Sequence, residues 1–75
     1  MMQQKFLVLG VPVFARRLPS GDMAVWHPFN SDVQAVIEPI CRGRGYWQPD
    51  FANWIVKGPH AGSVLRELAA VGRSV

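Results

Sequence analysis

The spacing of apolar and polar positions changes several times along this chain, and each change marks an element. From Phe6 to Arg17 the residues are mostly apolar, and Val11, Val13 and Ala15 alternate with Pro12, Phe14 and Arg16. A period of two in a stretch rich in Val and Phe predicts a strand. Pro12 has no N–H to give to a ladder, so this stretch is expected at a sheet edge or with a bulge near Gly10. Pro19-Ser20-Gly21-Asp22 has the composition of a turn. Met23 to His27 alternates again, with Met23, Val25 and His27 on one face and Ala24 and Trp26 on the other. The two strands are expected to pair as a hairpin.

After Pro28-Phe29-Asn30 the period lengthens, and Val33, Val36, Ile37 and Ile40 fall on one helical face. Ser31-Asp32-Val33-Gln34 has the form of a capping box, with Ser31 accepting from a first-turn N–H and Gln34 reaching back. Asp32 suits the positive end of the helix dipole. Pro39 removes one helix hydrogen bond and disfavours helical geometry at Glu38. The helix is therefore predicted from Ser31 to about Glu38, with a kinked or tightened last turn to Cys41. Arg42-Gly43-Arg44-Gly45 follows as a basic loop. Trp47 and Trp54 then bracket a Pro-Asp turn, which predicts a hairpin with strands near Gly45 to Gln48 and Asn53 to Lys57. Gly58-Pro59 opens a last helix, with Pro at its first position. Ala61, Val64, Leu65 and Leu68 line its apolar stripe, Arg66 and Glu67 point away, and Gly72 is a natural C-cap. The fold class is α+β: a small antiparallel sheet of about four strands with two helices packed on one face, in the order ββαββα.

Seventy-five residues make one domain, 1–75. So short a chain has a marginal core unless something reinforces it. Cys41 is the only cysteine, which excludes a disulfide within the chain. One Cys and the separated His27 and His60 do not supply the roughly four ligands of a standard zinc site. No cofactor is implied. Three Trp, four Phe and one Tyr supply large apolar areas instead. The net charge of +3, from eight basic and five acidic residues, weakly favours anionic partners.

Met1 to Lys5 followed by the apolar run from Phe6 to Ala15 also resembles a signal peptide, with Val13-Phe14-Ala15 as a small-x-Ala cleavage pattern. Against this, the leading segment has one lysine, Pro12 interrupts the run, and Arg16-Arg17 would follow the cut. The run is shorter than the ~20 residues of a spanning helix. A strand in a cytoplasmic protein is the expectation, with no membrane association.

Residues Val25 to about Leu68 resemble the HARP domain of annealing helicases (the HepA-related-protein module) and small bacterial domains like it. The likeness rests on Val25-x-x-Pro28-Phe29, on Trp47-Gln48-Pro49 with Trp54 seven residues after Trp47, and on a closing helix. The chain departs from that pattern at Arg44 and Lys57, where Gly and Pro are usual, and at Gln48, where Asp precedes the Pro. The resemblance implies a HARP-like α+β domain and, by analogy with the helicases, engagement of DNA.

The residues themselves offer a basic and aromatic patch. Arg42 and Arg44 flank Gly43 beside the Trp hairpin, and Lys57 ends its second strand. With Tyr46 and Trp47 these form a candidate site for phosphate contact and base stacking, on DNA or RNA. Trp26 is a further candidate aromatic, and Arg16-Arg17 a possible second patch. His60 stands where a helix N-terminus can bind anions, but it is read as an ordinary exposed histidine. His27 is read in the same way. Cys41 is read as a small buried hydrophobe. Asp22, Asp32, Glu38, Asp50 and Glu67 show no spacing that pairs two carboxylates for acid–base work. The chain is thus expected to be a non-enzymatic binding module, engaging nucleic acid or a nucleic-acid-processing complex. The alternative is a protein-interaction or inhibitor module that pairs its N-terminal edge strand, Phe6 to Val13, with a partner or a second copy.

Overall fold

The apolar run from Phe6 to Arg17 belongs to two strands joined by a tight turn. The computed structural model describes residues 3–75, and Met1 and Met2, where the leader-like stretch begins, lie outside the described residues. Strands β1 (Gln3–Val8) and β2 (Val11–Arg17) pair antiparallel, with Val8 opposite Val11. The two residues between them, Leu9 and Gly10, both have positive φ, 53° and 78°. This is the turn whose twist matches the strands on either side. The feature expected as a bulge near Gly10 is therefore a full reversal. Its signal was masked because Leu stands where Asn or Asp usually does.

Pro12 is consistent with an internal strand. In such a hairpin the closing pair is hydrogen-bonded and the next is not. Pro12, opposite Leu7, thus turns its nitrogen toward the β3 side. Strand β3 (Met23–Trp26) pairs with β2 only from Phe14 to Arg17, so no β3 residue faces the missing N–H.

Helix α1 (Ser31–Cys41) starts as expected, but Asn30 is its cap: the Asn30 Oδ1 accepts from the Val33 N–H at 3.0 Å. The helix also runs through Pro39 to Cys41, past the predicted end at Glu38. Pro39 is exposed, and the Glu38 carbonyl still accepts from the Arg42 N–H at 2.8 Å. Strands β4 (Gly45–Gln48) and β5 (Asn53–Val56) form the predicted hairpin. A 3₁₀ turn over Gly58–His60 leads into α2 (Ala61–Val71), so Pro59 lies just ahead of the α-helix.

Gly72 closes α2 for a reason different from the usual one. Its backbone is extended, not left-handed. A Cβ there would stand 2.6 Å from the Leu7 carbonyl oxygen and 2.7 Å from the Val8 Cγ2. That close approach lets the chain continue into β6 (Arg73–Ser74), which pairs with Phe6 and Leu7. Among the described residues the sheet thus has six strands in the order β4-β5-β3-β2-β1-β6, all antiparallel, where about four were expected. The N-terminal strand is also not a free edge. Its Lys5–Leu7 segment is covered by β6 and by the Val75 N–H, which donates to the Lys5 carbonyl at 3.0 Å.

Both helices share one core with one face of the sheet. Val33, Ile37, Ile40 and Cys41 from α1, and Ala61, Val64 and Leu68 from α2, meet Phe6, Val8, Val13, Ala15, Met23, Val25 and Val56. The α+β class with both helices on one side is as read from the sequence. Among the described residues no helix is long and apolar enough to cross a membrane. The β1–β2 turn yields a test. Leu9 is exposed and holds a left-handed conformation that costs a non-glycine residue roughly 1–2 kcal/mol. Leu9→Asn creates the preferred Asn-Gly pair and should raise stability by about 1 kcal/mol in urea denaturation. An unchanged or lower midpoint would show that Leu9 has a packing role.

Candidate functional site

Period-two alternation sorts the strand residues onto the two faces. One face belongs to the helices. On the other, the register aligns Gln3, Arg16, Ala24, Ile55 and Tyr46 in a row across five strands. The neighbouring row carries Lys5, Phe14 and Trp26. Phe14 and Trp26 stack with ring centroids 5.3 Å apart and planes inclined by 23°. Gln48 and Asn53 face each other across the β4–β5 hairpin on the same side as Tyr46 and Ile55. This outer face is aromatic and basic, and among the described residues no helix covers it.

Its centre is concave. Ala24 is the small residue of its row, and the dip above it and Ile55 has a volume of about 340 Å³. Arg16 stands on one side, and Tyr46, Phe51, Gln48 and Asn53 on the other. Lys57 ends the same strand face and holds its Nζ 5.4 Å from the Tyr46 ring centroid, within cation–π range. Asp22 closes the rim. Its Oδ1 accepts from the Gly58 N–H at 3.0 Å, and its Oδ2 lies 3.8 Å from the Lys57 Nζ. Among the described residues, the Asn53 Oδ1 is a buried oxygen with no hydrogen-bond donor.

The residues of the sequence-derived patch are therefore distributed as follows. Tyr46 and Lys57 come together on the outer face. Arg44 shares a backbone bond with Lys57, whose N–H donates to the Arg44 carbonyl at 2.9 Å, but its side chain turns to the helices. There Arg44 pairs with Glu67 and donates to the Ile40 carbonyl at 3.0 Å, joining the end of α1 to α2. Glu67, expected to point away, faces this guanidinium. Arg42 is exposed and pairs with Glu38 one helical turn back at 2.9 Å, a bond of small net strength. Trp47 lies on the opposite face of the sheet from Tyr46, edge-on to Trp54 at 5.5 Å. It lines a second, apolar cleft of about 260 Å³ together with Trp54, Phe29, His27 and Gln34. Phe29 is 89% exposed at the mouth of this cleft.

Sequence reading singled out the hairpin but missed the partnership of Arg16, Gln48 and Asn53 with Tyr46. The alternation of Val13 and Ala15 with Phe14 and Arg16 did carry part of that signal. That β3 flanks β2 was legible as the predicted hairpin, but that β1 flanks its other side was not without the Leu9-Gly10 turn. His27 donates from Nδ1 to the Pro28 carbonyl at 2.8 Å, and His60 is exposed. Among the described residues no group of three His, Cys, Asp or Glu side chains converges to hold a metal ion. No family model, curated protein or solved structure matches this chain.

Cys41 is fully buried, and burial pushes its thiol from 9.0 up to about 12, against the opposing pull of Arg44. A thiol so protonated is a poor nucleophile. It also makes stability depend on pH. Above about pH 9 the unfolded chain loses the proton that the folded chain keeps, so stability falls as pH rises toward 12. The loss is at most about 1.4 kcal/mol per pH unit. Denaturation midpoints between pH 8 and 10.5 should fall more steeply for the wild type than for Cys41→Ala, and parallel slopes would contradict this.

Proposed function

We propose that this protein is a small binding module for single-stranded nucleic acid, and that the helix-free face of its sheet is the binding surface. The observation that carries the reading is Lys57 held over the ring of Tyr46, across the concavity from Arg16. Positive groups beside a half-exposed ring match the needs of a stacked base and its phosphates. The net charge of +3 adds a weak long-range attraction. The likeness of Val25 to Leu68 to the HARP domain supports the same class of partner by analogy. Arg42 adds a phosphate contact at the sheet margin by exchanging its exposed Glu38 partner. Arg44 acts by holding the helices together, and no acid–base or nucleophilic chemistry is assigned to the chain.

Trp26 stacks on Phe14 on the proposed surface and also lines the apolar cleft with Trp47 and Trp54, so its quenching is read together with the Tyr46, Arg16 and Lys57 variants. Titration with a single-stranded oligonucleotide at low salt should quench the wild type and Trp47→Phe, and much less Trp26→Phe. Tyr46→Ala should weaken binding by ~1–3 kcal/mol, the usual worth of one stacked base. Arg16→Ala and Lys57→Ala should each reduce the slope of log affinity against log salt by about 0.7. Arg44→Ala should leave that slope unchanged and lower stability by about 1 kcal/mol. Equal quenching of all tryptophan variants, or binding insensitive to salt, would remove the proposal.

The apolar cleft supports a second reading, a protein-interaction module. None of the cleft residues Trp47, Trp54, Phe29, Gln34 and Ala52 carries a charge, and exposed aromatic anchors of this kind fill pockets in protein interfaces. Quenching absent with every nucleic acid, together with concentration-dependent mass that Phe29→Ser abolishes, would favour it.

A further inference from the structure

We propose that the concavity over Ala24 is a subsite for one unpaired base, and that the facing amides of Gln48 and Asn53 read its edge. The inference rests on the nucleic-acid reading above and adds a preference to it. Stacking and phosphate contact alone are indifferent to sequence, because every base has a π-face. Discrimination needs donors and acceptors at the base edge, and side-chain amides supply both.

The outer face places such groups beside the ring. Gln48 and Asn53 are directly opposed in the hairpin register, one step along from Ile55 and Tyr46. Both line the concavity, as do Tyr46 and Phe51. Arg16 and Tyr46 stand three strand spacings apart in one row, roughly 14 Å at about 4.8 Å per strand. A flat base fits between them, with Ala24 and Ile55 as its floor. The cationic groups Arg16 and Lys57 then meet phosphates at the two sides. Asp22 shares Lys57 at 3.8 Å and is anchored by the Gly58 N–H, so a phosphate at Lys57 competes with this carboxylate and, among the described residues, Arg16 is the unshared cation of the pair.

The Asn53 amide also has hydrogen-bonding capacity to spare. The Asn53 Oδ1 is buried without a donor, and an acceptor left in this state is costly. Rotation of the amide toward the concavity relieves the cost when a base donates to it. The amino group and ring nitrogen of adenine or cytosine, and the N3–H and carbonyl of thymine, each offer an edge complementary to an amide. Two amides at fixed positions select one such edge over the others.

The test uses fluorescein-labelled homopolymers of deoxyadenosine, deoxycytidine and thymidine, with anisotropy measured at low salt. The wild type should bind one of the three homopolymers about tenfold more tightly than the weakest of them. Asn53→Leu and Gln48→Leu should bring all three within about twofold while leaving the salt slope unchanged. Ala24→Leu, which fills the floor from the outer face, should weaken all three and provides a check if the hairpin variants unfold. Binding by the wild type with no base preference, or a preference that survives Asn53→Leu and Gln48→Leu, overturns the subsite and leaves the nucleic-acid reading standing. No binding of any homopolymer overturns both.

Discussion

Val25, in the middle of β3, has no solvent exposure and lies between Ala15 and Trp54 on the neighbouring strands. Above it Val33 and Ile37 of α1 and Val64 and Leu68 of α2 are equally closed to solvent. This single apolar layer between sheet and helices is the constraint from which the rest follows. A chain near this size buries only about 60% of the surface its unfolded form exposes. It has material for one such layer and not for two. Both helices are needed on one side, and the other side of the sheet meets water.

An uncovered sheet face usually presents polar side chains. Here it presents Phe14, Trp26 and Tyr46 over a buried Ile55, with Lys5, Arg16 and Lys57 among them. The aromatic stack of Phe14 on Trp26 and the cation over Tyr46 partly satisfy these groups within the chain. The remaining exposure is the physical ground for assigning function to this face. The same logic separates the basic residues. Arg44 bridges α1 and α2 and belongs to the architecture, whereas Arg16 lines the outer-face concavity and Lys57 stands over the Tyr46 ring at its side.

Much of the helical framework and the Trp hairpin was legible in the sequence, because their periods are long and their turns use ordinary chemistry. The hairpin at Leu9-Gly10 was not, since Leu in a left-handed position carries no turn signature. That one omission merged two strands, made Pro12 look like an edge residue, and concealed Gln3 as the neighbour of Arg16 on β1. Strand β6 was hidden for another reason. Two residues have no period, and only the close packing of Gly72 on Leu7 and Val8 directs them to the sheet. For the site, sequence proximity brought Arg42, Arg44 and Trp47 together with Tyr46. Alternation on the hairpin then sent Trp47 to the opposite face, and an acidic partner on α2 drew Arg44 away.

The central claim is that the helix-free face is the functional face. Backbone amide shifts followed by NMR during titration with a single-stranded oligonucleotide test it most directly. The account predicts saturable shifts concentrated at Phe14, Arg16, Ala24, Tyr46, Asn53 and Lys57, with the amides of α1 and α2 unmoved. Shifts centred on Phe29, Gln34 and Trp47, or no shifts at any concentration, would contradict it.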